Sequence, residues 1–451
     1  MKNDLSVGFS RVTVNPPMGI PIAGYFVERF ADGILDDLEI VVLAIASGNK
    51  KALLITVDNC GIRKEYLTPW REMISKHTSV DADAIFIHST HTHQAPLLDK
   101  DNPNPLIRDY EKQLETAIVE VSLNAISDLK PAKMGVGITE AKNIAFVRRF
   151  RMKDGTAKTN PGVNNPDIVA PIGDVDERVN VLRFDREGAQ GIVLVNFGNH
   201  PDVVGGNKIS GDWVSMTRRF VEKSLDCACI FFNGAQGDVN HVNVHPKAGD
   251  FNDLFLDFDG CSRGYGHARH IARVITGAVM SIYDKVEWLD VNEINYVQKT
   301  VEIPSNKADP KDLPLAHQYN DWHNAGRDDL IPYEAMMLTT VVAEAGRMVR
   351  LENAPDTFPM LFSSIAIGDV ALFGIPGEPF TGVGRGLKKA EGWKLVLPCC
   401  NTNAKEGYFP MIDSYEEGGY EARSSNFKAG VAEKIISEGL NILSSMRKTI
   451  K

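Results

Sequence analysis

Apolar positions in this chain fall mostly into short unbroken runs, and several of those runs stop abruptly on polar residues. Leu38 to Ala46 and Lys51 to Val57 are aliphatic runs separated by Ser47-Gly-Asn, which predicts a hairpin in a sheet buried on both faces; the second run ends at Asp58. The stretch from Ala84 to Pro96, Ala-Ile-Phe-Ile-His-Ser-Thr-His-Thr-His-Gln-Ala-Pro, starts as a buried strand and ends on histidines. The same design recurs in Gly191-Ile-Val-Leu-Val-Asn-Phe-Gly-Asn-His-Pro, which ends on His200, and in the run from Cys229, which enters a glycine-rich loop with Asp238 and Asn240. Ile365 to Phe373 predicts one more buried strand, stopped by Gly374-Ile-Pro-Gly-Glu-Pro-Phe. Between these runs the helical period predicts helices over Tyr66 to Lys76, Leu106 to Leu129 and Gly264 to Tyr283, and a long polar helix over Pro332 to Asn353.

The opening segment from Val7 starts as a strand and is broken by Pro16, Pro17 and Gly19 into a loop that reaches Gly24-Tyr25 and can line a pocket. Residues 142–175 are rich in Asn, Pro, Gly and basic side chains and predict a long structured loop, a kind of segment that usually carries function. Strands alternating with helices predict an α/β fold, with mixed β-sheets layered with helices on the outside and the site at strand ends and loops. Residues 1–451 are expected to form a single catalytic unit.

Charge narrows the partners. With 59 Asp plus Glu against 49 Lys plus Arg and no basic run, nothing suggests an electrostatic footprint for nucleic acid or a membrane surface. A small-molecule substrate is the expected partner, with no nucleic acid and no stable membrane anchor; self-association into a homo-oligomer is left open. No stretch approaches a membrane span and the first residues lack an apolar signal core, so a cytoplasmic location is expected. Six cysteines in C-x-C and C-C pairs predict reduced, buried thiols.

Chemistry gathers at the strand ends. His91 and His93 lie two apart, and in an extended backbone such residues point to one side, so both imidazoles can face one cavity and hold a divalent metal. His200, Glu378 and Tyr408 stand at comparable positions. Two histidines and a carboxylate with an open position match catalytic zinc, because closed structural sites are usually cysteine-rich. His93 suits a second ligand, a general acid/base or a group supporting a ligand, the proton-carrying role fitting best. Asp58, Asp202, Asp212 and Asp238 could each orient a ligand histidine or satisfy loop amides.

These residues resemble the catalytic domain of the neutral ceramidases, zinc-dependent amidases. The resemblance runs through Gly24-Tyr25, Thr90-His-Thr-His, the His200 loop reaching Ser210-Gly-Asp212, Gly237-Asp-Val, Gly377-Glu378, and Gly407-Tyr408 followed by Tyr420-Glu421. It implies zinc ligands His91, His200, Glu378 and Tyr408, with His93 and Tyr420 facing the reacting carbonyl and Arg148, or its neighbour Arg149, contacting substrate. Gly234, Asp238 and Asn240 fall in the family's substrate-side segment. There the family's Ser-Asn-Ala-Gly-Asp-Val pattern reads Gly234-Ala-Gln-Gly-Asp-Val, so no hydroxyl stands at the serine position, and the family's C-terminal β-sandwich domain is not expected.

The combined expectation is a Zn2+-dependent amidohydrolase that cleaves an amide or ester bond with a metal-activated water. Arg148, Arg149, Arg151 and Lys153 suggest a polar or anionic small molecule rather than ceramide. The alternatives are a true ceramidase and a non-catalytic, zinc-stabilised ligand-binding protein on the same fold.

Overall fold

A computed structural model describes residues 4–247, 250, 261 and 263–449. The predicted hairpin forms as Glu39–Ser47 and Lys50–Val57, joined through Gly48 at a positive φ of 58°. It belongs to a nine-stranded mixed sheet whose main path runs Ala228–Asn233, Ile192–Phe197, Arg178–Arg186, Lys130–Glu140, Leu5–Thr13, Glu39–Ser47, Lys50–Val57, Ile85–Ser89. A four-stranded sheet follows in the order Ile294–Pro304, Thr357–Ile367, Val370–Gly374, Leu395–Cys399.

Side-chain alternation assigns the faces. Val193, Val195, Cys229 and Phe231 pack with the helices Asp212–Leu225 and Tyr265–Tyr283, while Ile192, Leu194, Ile230 and Phe232 enter the cluster that also holds Ile365, Leu372 and Leu397 of the second sheet. The opposite face of that second sheet packs Phe362, Phe373 and Val396 against the Val431–Thr449 helix. Helices therefore cover the outer faces of two sheets that share a core, the α/β layering predicted from the sequence.

Several elements differ from the sequence-based expectation. The apolar run Ile365 to Phe373 is not one strand but the meeting of two, because Gly368, at a φ of 55°, and Asp369 turn the chain back on itself. The stretch 142–175 contains short strands Arg149–Met152, Ala157–Thr159 and Ile168–Pro171 paired into a three-stranded sheet. The helix expected to be polar, Ala335–Leu351, buries Val341, Val342 and Ala345 along one side. No helix among the described residues is long and apolar enough to cross a membrane.

What positions the site is a junction at the sheet edges. Ile85–Ser89 and Ala228–Asn233 end the nine-stranded sheet, and both C-terminal ends meet the segment after Leu395–Cys399. Ser89 N–H donates to Asn401 O at 3.0 Å and Cys400 N–H to Asn233 O at 3.0 Å. The buried His88 ring closes the junction: Nδ1–H donates to Cys400 O at 2.6 Å and Nε2 accepts from Asn233 N–H at 3.0 Å.

Candidate metal centre

Just beyond this junction the backbone departs from strand geometry, and the expected reason for the convergence of His91 and His93 changes with it. The strand ends at Ser89 and His91 adopts a left-handed conformation with a φ of 75°. A non-glycine residue there is held against an intrinsic steric penalty, here by His91 N–H donating to Asn59 O at 2.9 Å. The two rings meet because the chain turns, not because an extended strand alternates.

The His91 Nδ1–H donates to the Cys60 carbonyl, which leaves its Nε2 lone pair facing inward. That Nε2 lies 3.2 Å from His200 Nε2, 3.2 Å from Glu378 Oε2 and 3.4 Å from His93 Nε2. His200 turns its Nδ1 toward Gln236 O at 3.5 Å, and its Nε2 is 3.9 Å from Glu378 Oε2. Three lone-pair-bearing atoms of buried groups thus converge, an arrangement that repels itself unless a proton or a cation sits among them. The electrostatics agree. Burial pulls the His91 imidazole down, but the adjacent Glu378 carboxylate outweighs it and raises the ring to about 10; burial pushes Glu378 up, and His91 overrides this to hold it well below the usual carboxylate range. His91, His200 and Glu378 have the donor chemistry of a divalent-metal site.

Glu378 reaches this point because Glu378–Pro379 pairs in parallel with Tyr408–Phe409, which also places Tyr408 directly beside it. Burial and the Glu378 charge keep the Tyr408 phenol protonated. Its ring meets that of Tyr420 at 5.6 Å between centroids and lies under Arg148, whose Cζ is 5.3 Å from the ring centre. The buried Arg148 pairs with Glu421 at 2.6 Å and donates to Gly237 O at 2.6 Å.

His93, His200, Arg148, Tyr408 and Tyr420 line one cavity of about 330 Å³ together with Tyr25, Asn160, Asp202, Arg263 and Met336. The Gly24-Tyr25 loop forms one wall, as its sequence suggested. His93 turns Nδ1 toward Asp202 at 3.8 Å, while Asp202 accepts from the Tyr25 hydroxyl and pairs with Arg263 at 2.8 Å. Burial holds the His93 ring at about 3, with Asp202 pulling the other way.

Other residues singled out from the sequence stand outside this cavity. Arg149 donates to Ser414 Oγ at 2.8 Å and to Glu417 at 3.1 Å; Arg151 also pairs with Glu417, and Lys153 lies 3.6 Å from Asp167. Of that basic run, Arg148 alone lines the cavity. Gly234 packs against Gly198, and a Cβ on it would come within 3.2 Å of that backbone. Asp238 accepts from Thr381 N–H at 2.7 Å and its hydroxyl at 2.9 Å, and Asn240 donates to Asn160 at 2.8 Å, which places Asn240 one residue behind the wall. Asp58 grips Thr90, the residue before His91, and Asp212 caps the Val203 and Val204 amides. Cys60 and Arg263 were not marked as site residues by any spacing, and Glu421 was quoted only as the neighbour of Tyr420; the fold brings all three in.

No family model and no curated protein sequence matches the chain. Solved structures do, two of them ceramidases. The neutral ceramidase from Pseudomonas aeruginosa superposes with a TM-score of 0.73 at 15% identity, over 100% of this chain and 75% of that one. A structure described as ceramidase complexed with C2 gives 0.74 at 15% identity, over 100% of this chain and 76% of that one. Over its whole length, the chain has the fold of the neutral ceramidases.

Proposed function

We propose that this chain is a zinc-dependent hydrolase of an amide or ester bond in a small molecule, with His91, His200 and Glu378 holding the metal and Tyr408 beside them as the fourth candidate ligand. The observation that carries the reading is the convergence of His91 Nε2, His200 Nε2 and Glu378 Oε2 between 3.2 and 3.9 Å at the edge of a cavity lined by ionisable groups. When bound, zinc supplies Lewis acidity toward a carbonyl and lowers the pKa of water at the centre, which removes the need for a protein nucleophile.

The remaining roles belong to side chains of the chain itself. His93 presents a neutral Nε2 toward the centre, and Asp202 on its far side stabilises the imidazolium once a proton is taken up, so His93 is suited to carry that proton to a leaving group. Tyr420, kept protonated by burial, is suited to donate to a developing oxyanion. Arg148, fixed by Glu421 and Gly237, holds a cation at one wall for substrate orientation.

One observation favours a second reading of the substrate. A larger cavity of about 640 Å³, where Ala335, Met336, Met337, Pro161 and Tyr333 stand beside the charged Lys158, Glu334, Glu417 and Arg423, shares Asn160 and Met336 with the site, which suits a substrate with an amphiphilic arm. Zinc-loaded protein assayed against amides and esters of graded acyl length tests both. Turnover that is lost on chelation and restored by zinc is expected, and the chain-length optimum separates polar from amphiphilic substrates. Bound zinc with no zinc-dependent turnover across the panel would favour a ligand-binding role.

A further inference from the structure

The Cys60 carbonyl holds His91, but the Cys60 thiol has no part in the chemistry above. Its Sγ and one ring nitrogen each of His91 and His93 all lie within 4.8 Å of one another. The three residues are only 2%, 2% and 8% exposed. Among the described residues, clusters of such donors occur twice, and both contain His91: one is completed by His200 and Glu378, the other by Cys60 and His93.

The surroundings of this thiol differ from those of other cysteines. Burial pushes Cys227, Cys229, Cys399 and Cys400 up, as for thiols acting as small apolar side chains. Cys60 instead has polar neighbours, with the Lys405 ammonium 3.7 Å from its Sγ and ring nitrogens of His91 and His93 within 4.8 Å. The neighbouring His93 Nε2 points toward His91, not toward its own Asp202 contact, which uses Nδ1.

We propose that Cys60, His91 and His93 form a second cation position at the centre, one that takes a soft divalent cation and competes with the first position for the shared His91 imidazole. It rests on the metal-centre reading above through that one histidine. Thiolate donors favour soft cations over the hard cations preferred by carboxylates, so cadmium is drawn to the Cys60 side. As the S–metal bond forms, any proton on the Cys60 sulfur passes to solvent and Lys405 keeps its charge. An ion held there draws both His91 and His93 out of the hydrolytic arrangement. Soft cations then inhibit by emptying the first position, not merely by replacing zinc within it.

Cadmium titrated into the zinc-loaded wild-type protein tests this, with the ultraviolet thiolate-to-cadmium charge-transfer band and released zinc read together. The expected result is a band that grows to one equivalent while zinc leaves in step. Cys60→Ser, which keeps His91, His200 and Glu378 and still takes up zinc, is expected to lose the band. A band without zinc release, zinc release without a band, or an unchanged band in Cys60→Ser would overturn the proposal. The zinc-release arm uses wild-type protein alone and decides the matter even if the buried substitution prevents folding. Wild-type protein that takes up neither metal would instead contradict the metal-centre reading itself, and this proposal with it.

Discussion

The Nε2 atoms of His91 and His200 face each other at 3.2 Å, each ring turning its other nitrogen to a main-chain carbonyl, Cys60 for His91 and Gln236 for His200. Each ring thereby presents its Nε2 inward, beside the Glu378 carboxylate at 3.2 Å from His91. The remaining architecture serves this juxtaposition.

His88 ties both end strands of the nine-stranded sheet to Cys400 as a neutral ring, held by burial at about 3 against an ordinary value of 6.5. A histidine depressed in the folded state contributes fully above its unfolded pKa, and that stability is lost as pH falls from about 6.5 toward the folded value, at up to about 1.4 kcal/mol per pH unit. Chemical denaturation between pH 8 and pH 5 should therefore show His88→Gln less stable than wild type at pH 8 but with a shallower decline. Parallel declines would refute the assignment.

Arg148 and Glu421 are both buried, at 2.6 Å, and Thr159 also donates to Glu421 at 2.7 Å. Removing one partner strands the other charge, so Glu421→Ala should destabilise the protein by about 3–5 kcal/mol in denaturant titrations. A change below about 1 kcal/mol would mean that Arg148 is solvated and free to move.

Gly24, at a φ of 106°, lies so close to His93 that a Cβ there would approach Nδ1 to 2.6 Å. Gly24→Ala should displace the His93 ring and lower turnover while zinc content stays at the wild-type level. His93→Gln should do the same, by about 10²–10⁴-fold if the ring carries the proton. Loss of zinc in either variant would move His93 from proton carrier to ligand of the first position.

Gly234 occupies the serine position of the related motif, pressed against the Gly198 backbone. Gly234→Ser should therefore lower stability by about 1–3 kcal/mol through overpacking and bring no gain in rate. A faster enzyme would show that a hydroxyl there has a catalytic use in this chain.

The strand-end groups were legible because each follows an apolar run whose polar terminus is visible locally, which is how His91, His200 and Glu378 stand out. The conformation that joins His91 to His93 was not, since a left-handed histidine leaves no trace in spacing; it is imposed by Asn59 and Cys60 on a neighbouring strand end. The basic run at 148–153 looked uncompensated in the sequence because its partners stand apart from it, Glu421 for Arg148, Glu417 for Arg149 and Arg151, and Asp167 for Lys153. The strand break at Gly368 was hidden by apolar residues continuing on both sides. Asp202, by contrast, was noticed beside His200, but its partners Tyr25 and Arg263 become neighbours only in the folded chain.

Whether His91, His200 and Glu378 together hold the metal is read from the zinc content of purified, zinc-reconstituted protein. Wild type is predicted to carry one tightly held equivalent, His91→Ala and Glu378→Ala to lose it, and His93→Gln to keep it. A full equivalent retained in His91→Ala would show that the metal is held elsewhere.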